Sequence, residues 1–248
     1  MNETTASGRK WWASALLVGA VIGLVCLPVG ALGAKLGIWG FMGGFTLLAV
    51  GTVLAAAVFF LGIIALVVSF SKKLPAERSA VSIGLVISVV ILVLMGSQFM
   101  TAQSVPAIHN ISTDTEDPPE FDAIVALRGP DSNPLAYDAQ ALAAVQRQAY
   151  PQVQSLITEV APGEMLNRAV AVLEDMGLEI VDTNAAAGRV EATDTTFWFG
   201  FKDDVVVRIR PQGSGSIVDV RSVSRVGQSD LGKNAERISE FLAGLKAI

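Results

Sequence analysis

Residues 45–70 read FTLLAVGTVLAAAVFFLGIIALVVSF, a run without a single charged side chain. A bilayer core is crossed by about 20 apolar residues in helical form, so this run predicts a membrane span. A Gly-rich approach (Gly37, Gly40, Gly43, Gly44) reads as the turn before it. Working outward, two similar stretches flank it: Trp12 to about Leu32, and Ala80 to about Met100. Soluble core helices are seldom apolar on every face over such lengths. Three transmembrane helices are therefore expected within residues 1–100.

Lys and Arg beside the spans set the expected orientation, because cytoplasmic flanks are enriched in them. With a cytoplasmic N-terminus, the inner segments carry Arg9, Lys10, Lys72, Lys73 and Arg78, while the outer loop carries only Lys35. After the third span no Lys or Arg occurs until Arg128. An odd number of spans then delivers the C-terminal part across the inner (cytoplasmic) membrane, into the periplasm. Trp11 and Trp12 fit as interfacial anchors on the cytoplasmic side. A cleavable signal peptide is the competing reading of the first segment, but its apolar run exceeds the usual h-region of roughly 7–15 residues. No ionisable residue lies inside any of the three runs, which argues against an ion or proton path. Gly19 and Gly23 form a small-xxx-small pair, suited to close helix approach within this unit or with another helix.

The composition changes abruptly beyond residue 100. The whole chain is 52% hydrophobic and 17% charged, yet residues 1–100 hold six Lys or Arg against two Asp or Glu, and residues 101–248 hold twelve against twenty-one. Residues 101–160 read as an acidic, Pro-rich strap with a short helix from Asp138 to about Ala149, stopped by Pro151. Within it, 105–122 run VPAIHNISTDTEDPPEFD, a pattern that favours extended and turn conformations. Residues 161–248 read as an extracytoplasmic domain. Pro162 opens a helix closed by Gly177. Strands are expected over Leu178–Asp182, Arg189–Thr195, Thr196–Phe201, Val205–Arg210 and Ile217–Val223. A last helix starts near Ser229 or Asp230. The expected fold class is α+β: three transmembrane helices, then a two-layer α/β sandwich with an antiparallel sheet and both helices on one face.

Several separated runs carry a resemblance. Gly200–Arg208 (GFKDDVVVR), Asp219–Gly227 (DVRSVSRVG), Ser229–Asn234 (SDLGKN), the STDTEDPP of the strap and Ala149-Tyr150-Pro151 together resemble an uncharacterised bacterial family, domain of unknown function 1499. The resemblance covers about residues 105–246. It implies a membrane-anchored layout, since members often carry N-terminal spans, and it implies no activity. Asn110 departs from the family pattern, in which an Asp follows the histidine, and that weakens any His–Asp pair here.

Strand alternation puts Arg208 and Arg210 on one side and Val205, Val207 and Ile209 on the other, with Asp219 and Arg221 sharing a side. One reading is an anion site for a lipid phosphate or glycan carboxylate, with Arg208, Arg210, Arg221, Ser222, Ser224 and Arg225 as donors and the last helix's N-terminus adding its positive end. The other is a structural polar network of cross-strand ion pairs that fixes the sheet's register, drawing on Asp203, Asp204, Asp219, Asp230 and Asn234. His109 with Asp114 and Asp117 forms a weak set for a divalent ion or a general base; a solvated acidic strap is the simpler reading. Phe197, Trp198, Phe199 and Phe201 cluster as a core or sheet-edge group, or one that meets the membrane or an apolar ligand.

With one histidine and one cysteine in the chain, zinc-hydrolase and thiol chemistries lack a ligand set. No phosphate-binding loop or dinucleotide fingerprint is present, and the acidic exported part is unsuited to nucleic acid. No cofactor is expected. The expected function is a membrane-tethered periplasmic module that binds an envelope lipid, glycan or membrane protein without catalysis. The alternative is an envelope hydrolase or divalent-metal-dependent enzyme using the strap around His109.

Overall fold

The computed structural model describes residues 9–247 and divides into two compact units. The first comprises the chain up to Met100 together with Trp198–Gly200. Three helices, α1 (Trp11–Lys35), α2 (Phe41–Ser71) and α3 (Pro75–Ser104), are each long and apolar enough to cross a membrane. The α2 helix begins earlier than the Gly-rich approach suggested, taking in Gly43 and Gly44. There the glycines serve helix packing instead of a turn. A Cβ on Gly44 would lie 2.7 Å from the Gly30 carbonyl oxygen, and one on Gly30 would lie 2.8 Å from that of Gly44. The same reciprocity joins Gly23 and Gly51, at 3.0 and 2.6 Å. Both pairs are seven residues apart on each helix, so they lie along one antiparallel seam. In lipid, where apolar side chains gain little from meeting each other, such close backbone approach is what holds helices together. Gly23 thus packs within this unit.

The α3 helix packs by Ala80 and Val81 against Ala13, Leu16, Leu17, Ala65 and Leu66. At this end the Lys10 backbone N–H donates to Glu77 Oε1 at 3.2 Å, and the Arg78 guanidinium lies 3.9 Å from the Phe70 ring centre. The start of α1, the end of α2 and the start of α3 therefore meet. Lys10, Lys72, Lys73 and Arg78 gather at one end of the bundle.

The second unit comprises residues 101–197 and those from Phe201 onward. It is an antiparallel sheet in the order β1-β6-β5-β4-β3, with β2 also paired to β6. The strands are β1 (Asn110–Ser112), β2 (Leu156–Thr158), β3 (Glu179–Asn184), β4 (Arg189–Thr195), β5 (Lys202–Gln212) and β6 (Gly215–Ser224). Val190, Ala192, Val205, Val207, Ile209, Val218 and Val220 form one core with Met165, Leu166, Ala169, Val172 and Leu173 of α5 (Pro162–Asp175) and with Ala235, Ile238, Phe241, Leu242 and Leu245 of α6 (Lys233–Ala247). Both helices cover one face, as the alternation predicted.

Two features depart from the expected elements. Thr196–Phe201 is no strand: the Thr196 N–H donates to the Phe201 carbonyl at 2.8 Å and the Phe201 N–H to Thr196 Oγ1 at 2.9 Å, closing a turn between β4 and β5. Gly200 takes φ +69° there, a conformation that costs glycine nothing. The acidic segment also enters the sheet, because β1 and β2 both pair with β6. The outer edge of β1 is closed by one side chain. Gln146, on α4 (Ala139–Ala149), accepts from the Ser112 N–H at 3.0 Å and donates to the Ser112 carbonyl at 2.7 Å. Its amide thus supplies both hydrogen bonds a neighbouring strand would make.

Candidate functional site

The sheet face away from α5 and α6 is largely polar: the positions alternating with the core valines include Glu191, Thr193, Asp204, Arg208, Arg210, Asp219 and Arg221, with Val206 and Val223 among the apolar exceptions on β5 and β6. Residues 113–138 lie over that face and satisfy it group by group. Asp219 stands opposite Arg208 in the β5–β6 register. It is fully buried and receives Arg208 at 3.1 Å, Arg210 at 2.7 Å and the Ser155 hydroxyl at 2.5 Å. Asp114 accepts the Glu116 and Asp117 N–H groups on one oxygen, at 3.1 and 2.9 Å. Its other oxygen faces Arg208 at 3.3 Å and Arg210 at 3.5 Å. Asp117 reaches Arg208 at 2.9 Å and Arg210 at 3.5 Å. This group opens to solvent on one side: the Arg210 side chain is 41% exposed and that of Asp117 70%.

Toward the other end of the face, buried Asp204 accepts from Arg128, from Arg225 at 2.8 Å and from the Thr193 hydroxyl at 2.9 Å. Burial pulls the Arg128 guanidinium below its ordinary basicity, and the facing Asp204 only partly restores it. Buried Glu191 accepts the N–H groups of Asp122 and Ala123 on one oxygen and of Ile124 on the other, at 2.9, 3.2 and 2.9 Å. That carboxylate holds the start of a 3-10 helix, Ala123–Leu127. Arg221, 4% exposed, donates to Asn110 Oδ1 at 3.1 Å, to the Pro119 carbonyl at 3.1 Å and to the Leu135 carbonyl. No carboxylate touches it among the described residues. Burial pulls its pKa down to about 10, and burial pushes neighbouring Tyr137 up to about 12.

Ser222 and Ser224 lie on the opposite, helix-covered face. Ser222 donates to Asn234 Oδ1 at 2.6 Å, and Asn234 donates to Ser224 Oγ at 2.9 Å and to the His109 carbonyl at 3.0 Å. Arg237 completes this group, donating to Ser222 at 3.1 Å and Asn234 at 2.6 Å and pairing with Asp194 at 2.5 Å and Asp203 at 2.8 Å. Burial lowers its basicity, but the two aspartates more than reverse that. The six candidate anion donors are therefore divided between the two faces. The four arginines are held by carboxylates or carbonyls of the same chain. His109 Nδ1 lies 3.3 Å from the Gln228 carbonyl, whereas Asp114 and Asp117 sit on arginines paired with Asp219, so the structure does not bring that trio together. Among the described residues no group of His, Cys, Asp and Glu is arranged to hold a metal ion.

Asp230 caps the start of α6, accepting the Gly232 N–H at 2.8 Å and the Asn234 N–H at 2.7 Å. Burial raises its pKa, although both N–H groups act the other way. An acid whose pKa is raised on folding contributes stability that is complete below its unfolded value and is lost as pH climbs through the folded one. The advantage of the native protein over Asp230→Ala is therefore expected to be greatest near pH 3.5 and to shrink as pH rises from about 4. Paired urea midpoints in detergent between pH 3.5 and 7 test this; a gap that widens with pH contradicts it.

Arg128, Gln146, Glu191 and Arg237 escape sequence reasoning, though one signal existed for Arg237. It follows Asn234 by three positions and precedes Phe241 by four, so it shares the buried stripe of α6.

No curated protein matches the chain. The family model described as a protein of unknown function, DUF1499, matches residues 110–245, from the first residue of β1 into the last turns of α6. That match spans over half of the sequence and both faces of the sheet, and the chain belongs to the DUF1499 family.

Proposed function

We propose that this protein is a non-enzymatic binding module tethered in the cytoplasmic membrane of a bacterium, its C-terminal domain in the periplasm, where Arg208 and Arg210 hold an anionic envelope component. The orientation is supported by the gathering of Lys10, Lys72, Lys73 and Arg78 at one end of the helical unit, since cations concentrate on cytoplasmic flanks. The ligand chemistry is a phosphate or carboxylate, as found in lipid headgroups and acidic glycans.

One observation carries the reading. Of the three aspartates on the arginine pair, Asp117 is the solvent-exposed one, 70% exposed beside a 41% exposed Arg210. An ion pair that open to water contributes about 0–1 kcal/mol. An external anion exchanges with Asp117 at little cost, while buried Asp219 and loop-held Asp114 keep both guanidiniums aligned. Arginine forks bind phosphate and carboxylate through paired hydrogen bonds.

The test titrates glycerol phosphate and glucuronate, as stand-ins for the two sources, into the full chain in nanodiscs. Binding of at least one is expected, weakened about tenfold or more by Arg210→Ala and strengthened by Asp117→Ala. Absence of binding by both the native protein and the Asp117→Ala variant refutes the site. A variant that binds less well than the native protein refutes the exchange.

A further inference from the structure

The turn between β4 and β5 has a composition unlike any other loop of the domain. Residues 196–201 read TFWFGF, four aromatics in six positions and no charge. Phe197 is 71% exposed and Trp198 54%. Whatever else these two rings touch, the part of each that stays exposed costs about 25 cal/mol for each Å² of apolar surface. A turn needs no such residues for its own geometry, because Thr196, Phe201 and Gly200 close it by the hydrogen bonds and positive φ described above.

We propose that this turn is a further membrane contact of the protein, with Phe197 and Trp198 seated in the headgroup region of the bilayer that α1–α3 cross. The occupant is a lipid surface for two reasons. First, Trp198–Gly200 groups with the helical unit. Within that unit the Phe199 ring centre lies 5.1 Å from that of Phe45, which in turn lies 6.0 Å from Phe41. Phe41 and Phe45 belong to the opening turns of α2, at the opposite end of that helix from Lys72 and Lys73. Trp39 stands just before them, its indole N–H on the Gly30 carbonyl at 3.1 Å. Aromatic rings collected at one end of a span mark the membrane–water interface, where an amphipathic ring has its apolar body in the acyl region and its polar edge in water. Second, the turn is followed by Lys202, whose ammonium lies 3.3 Å from Thr195 Oγ1. A cation next to an inserted aromatic can extend its stem toward lipid while its head meets phosphate. Trp39, Phe41, Phe45, Trp198 and Phe199 thus put aromatic rings at one end of the helical unit, as an interfacial belt does.

The consequence is a membrane contact additional to the three helices, made by this turn. Depth measurement tests it in the full chain. In a Cys26→Ala background, Phe197→Cys and Trp198→Cys are each labelled with a nitroxide in nanodiscs. Ser214→Cys, at the exposed β5–β6 turn, serves as the reference. Accessibility to oxygen is compared with accessibility to a water-soluble nickel chelate. Both turn labels are expected to favour oxygen over nickel relative to the reference, at a depth matching headgroups. Labels at 197 and 198 with the same nickel accessibility as position 214 overturn the proposal. A parallel measurement on Phe197→Ser/Trp198→Ser addresses folding. Its melting temperature in detergent should match the native one; a large fall shows instead that the aromatics are part of the folded core.

Discussion

Asp204→Ala is expected to lower the stability of the C-terminal domain by about 3–5 kcal/mol, a shift of roughly 10 °C or more in melting temperature. Asp204 is fully buried, and its two oxygens serve Arg128, Arg225 and the Thr193 hydroxyl. Its removal leaves two largely buried guanidiniums facing each other without the charge between them. Burial already works against the Arg128 cation, and Arg225 adds to that. The loss spreads through the main chain as well. Arg225 also donates to the Leu127 carbonyl at 3.0 Å, Arg128 to the Asn133 carbonyl at 2.7 Å, and the Asn133 amide to the carbonyls of Ser224 and Gly227 at 3.1 and 2.8 Å. A total stability of about 5–15 kcal/mol is usual for a domain, so about a fifth or more of it is at stake. Asp204→Asn should fall between, since one acceptor oxygen survives. Thermal unfolding followed by circular dichroism measures all three proteins; an alanine variant within about 2 °C of the native protein would show that the two arginines find other acceptors.

The parts of this fold legible in the sequence are those encoded by short periods. Uncharged runs gave the three long apolar helices, and alternation along 205–210 put Val205, Val207 and Ile209 on the side away from Arg208 and Arg210. The same alternation also separates Ser222 and Ser224 from Arg221, a consequence that stayed hidden while all six were grouped by chemistry. What escaped was long range. Nothing near Asp114 or Asp117 indicates that they complete Arg208, more than ninety positions later, and a Pro-rich acidic segment reads as solvated strap. In the structure the segment supplies the counter-charges, two three-residue strands too short to show a period, and the carbonyls that Arg221 needs. The glycine seam was half legible: Gly23 was marked by its small-xxx-small spacing with Gly19, but its partner Gly51 lies on another helix.

The second large effect belongs to Arg221. Its guanidinium is buried without a carboxylate in contact, so its charge is stabilised by three oxygen dipoles and by the Phe121 and Tyr137 rings, 5.5 and 5.7 Å from it. Arg221→Met retains much of the side-chain volume and removes the charge. It also leaves Asn110 Oδ1 and the Pro119 and Leu135 carbonyls without their donor, at about 1–3 kcal/mol for each acceptor that stays dry. Pro119 and Leu135 belong to the segment over the sheet, whereas Asn110 belongs to β1. The first thing to loosen should therefore be residues 113–138. Hydrogen exchange of their amides is expected to rise about 10- to 100-fold, with β5 amides changing less. Asn110→Asp makes the opposite change by placing a carboxylate on the Arg221 Nε. It sacrifices the Nδ2 hydrogen bond to the Ala136 carbonyl, a long one at 3.3 Å. An aspartate paired with a guanidinium has its pKa depressed on folding, so its contribution is present above the unfolded value of about 3.9 and disappears as pH falls through the folded one. Asn110→Asp should thus equal or exceed the native melting temperature at pH 7 and lose that margin in acid. If Arg221→Met leaves exchange across 113–138 unchanged, the segment is held by its other contacts, those of Arg208, Asp204, Glu191, Arg225 and Asn133 among them, and the buried cation has no structural task there.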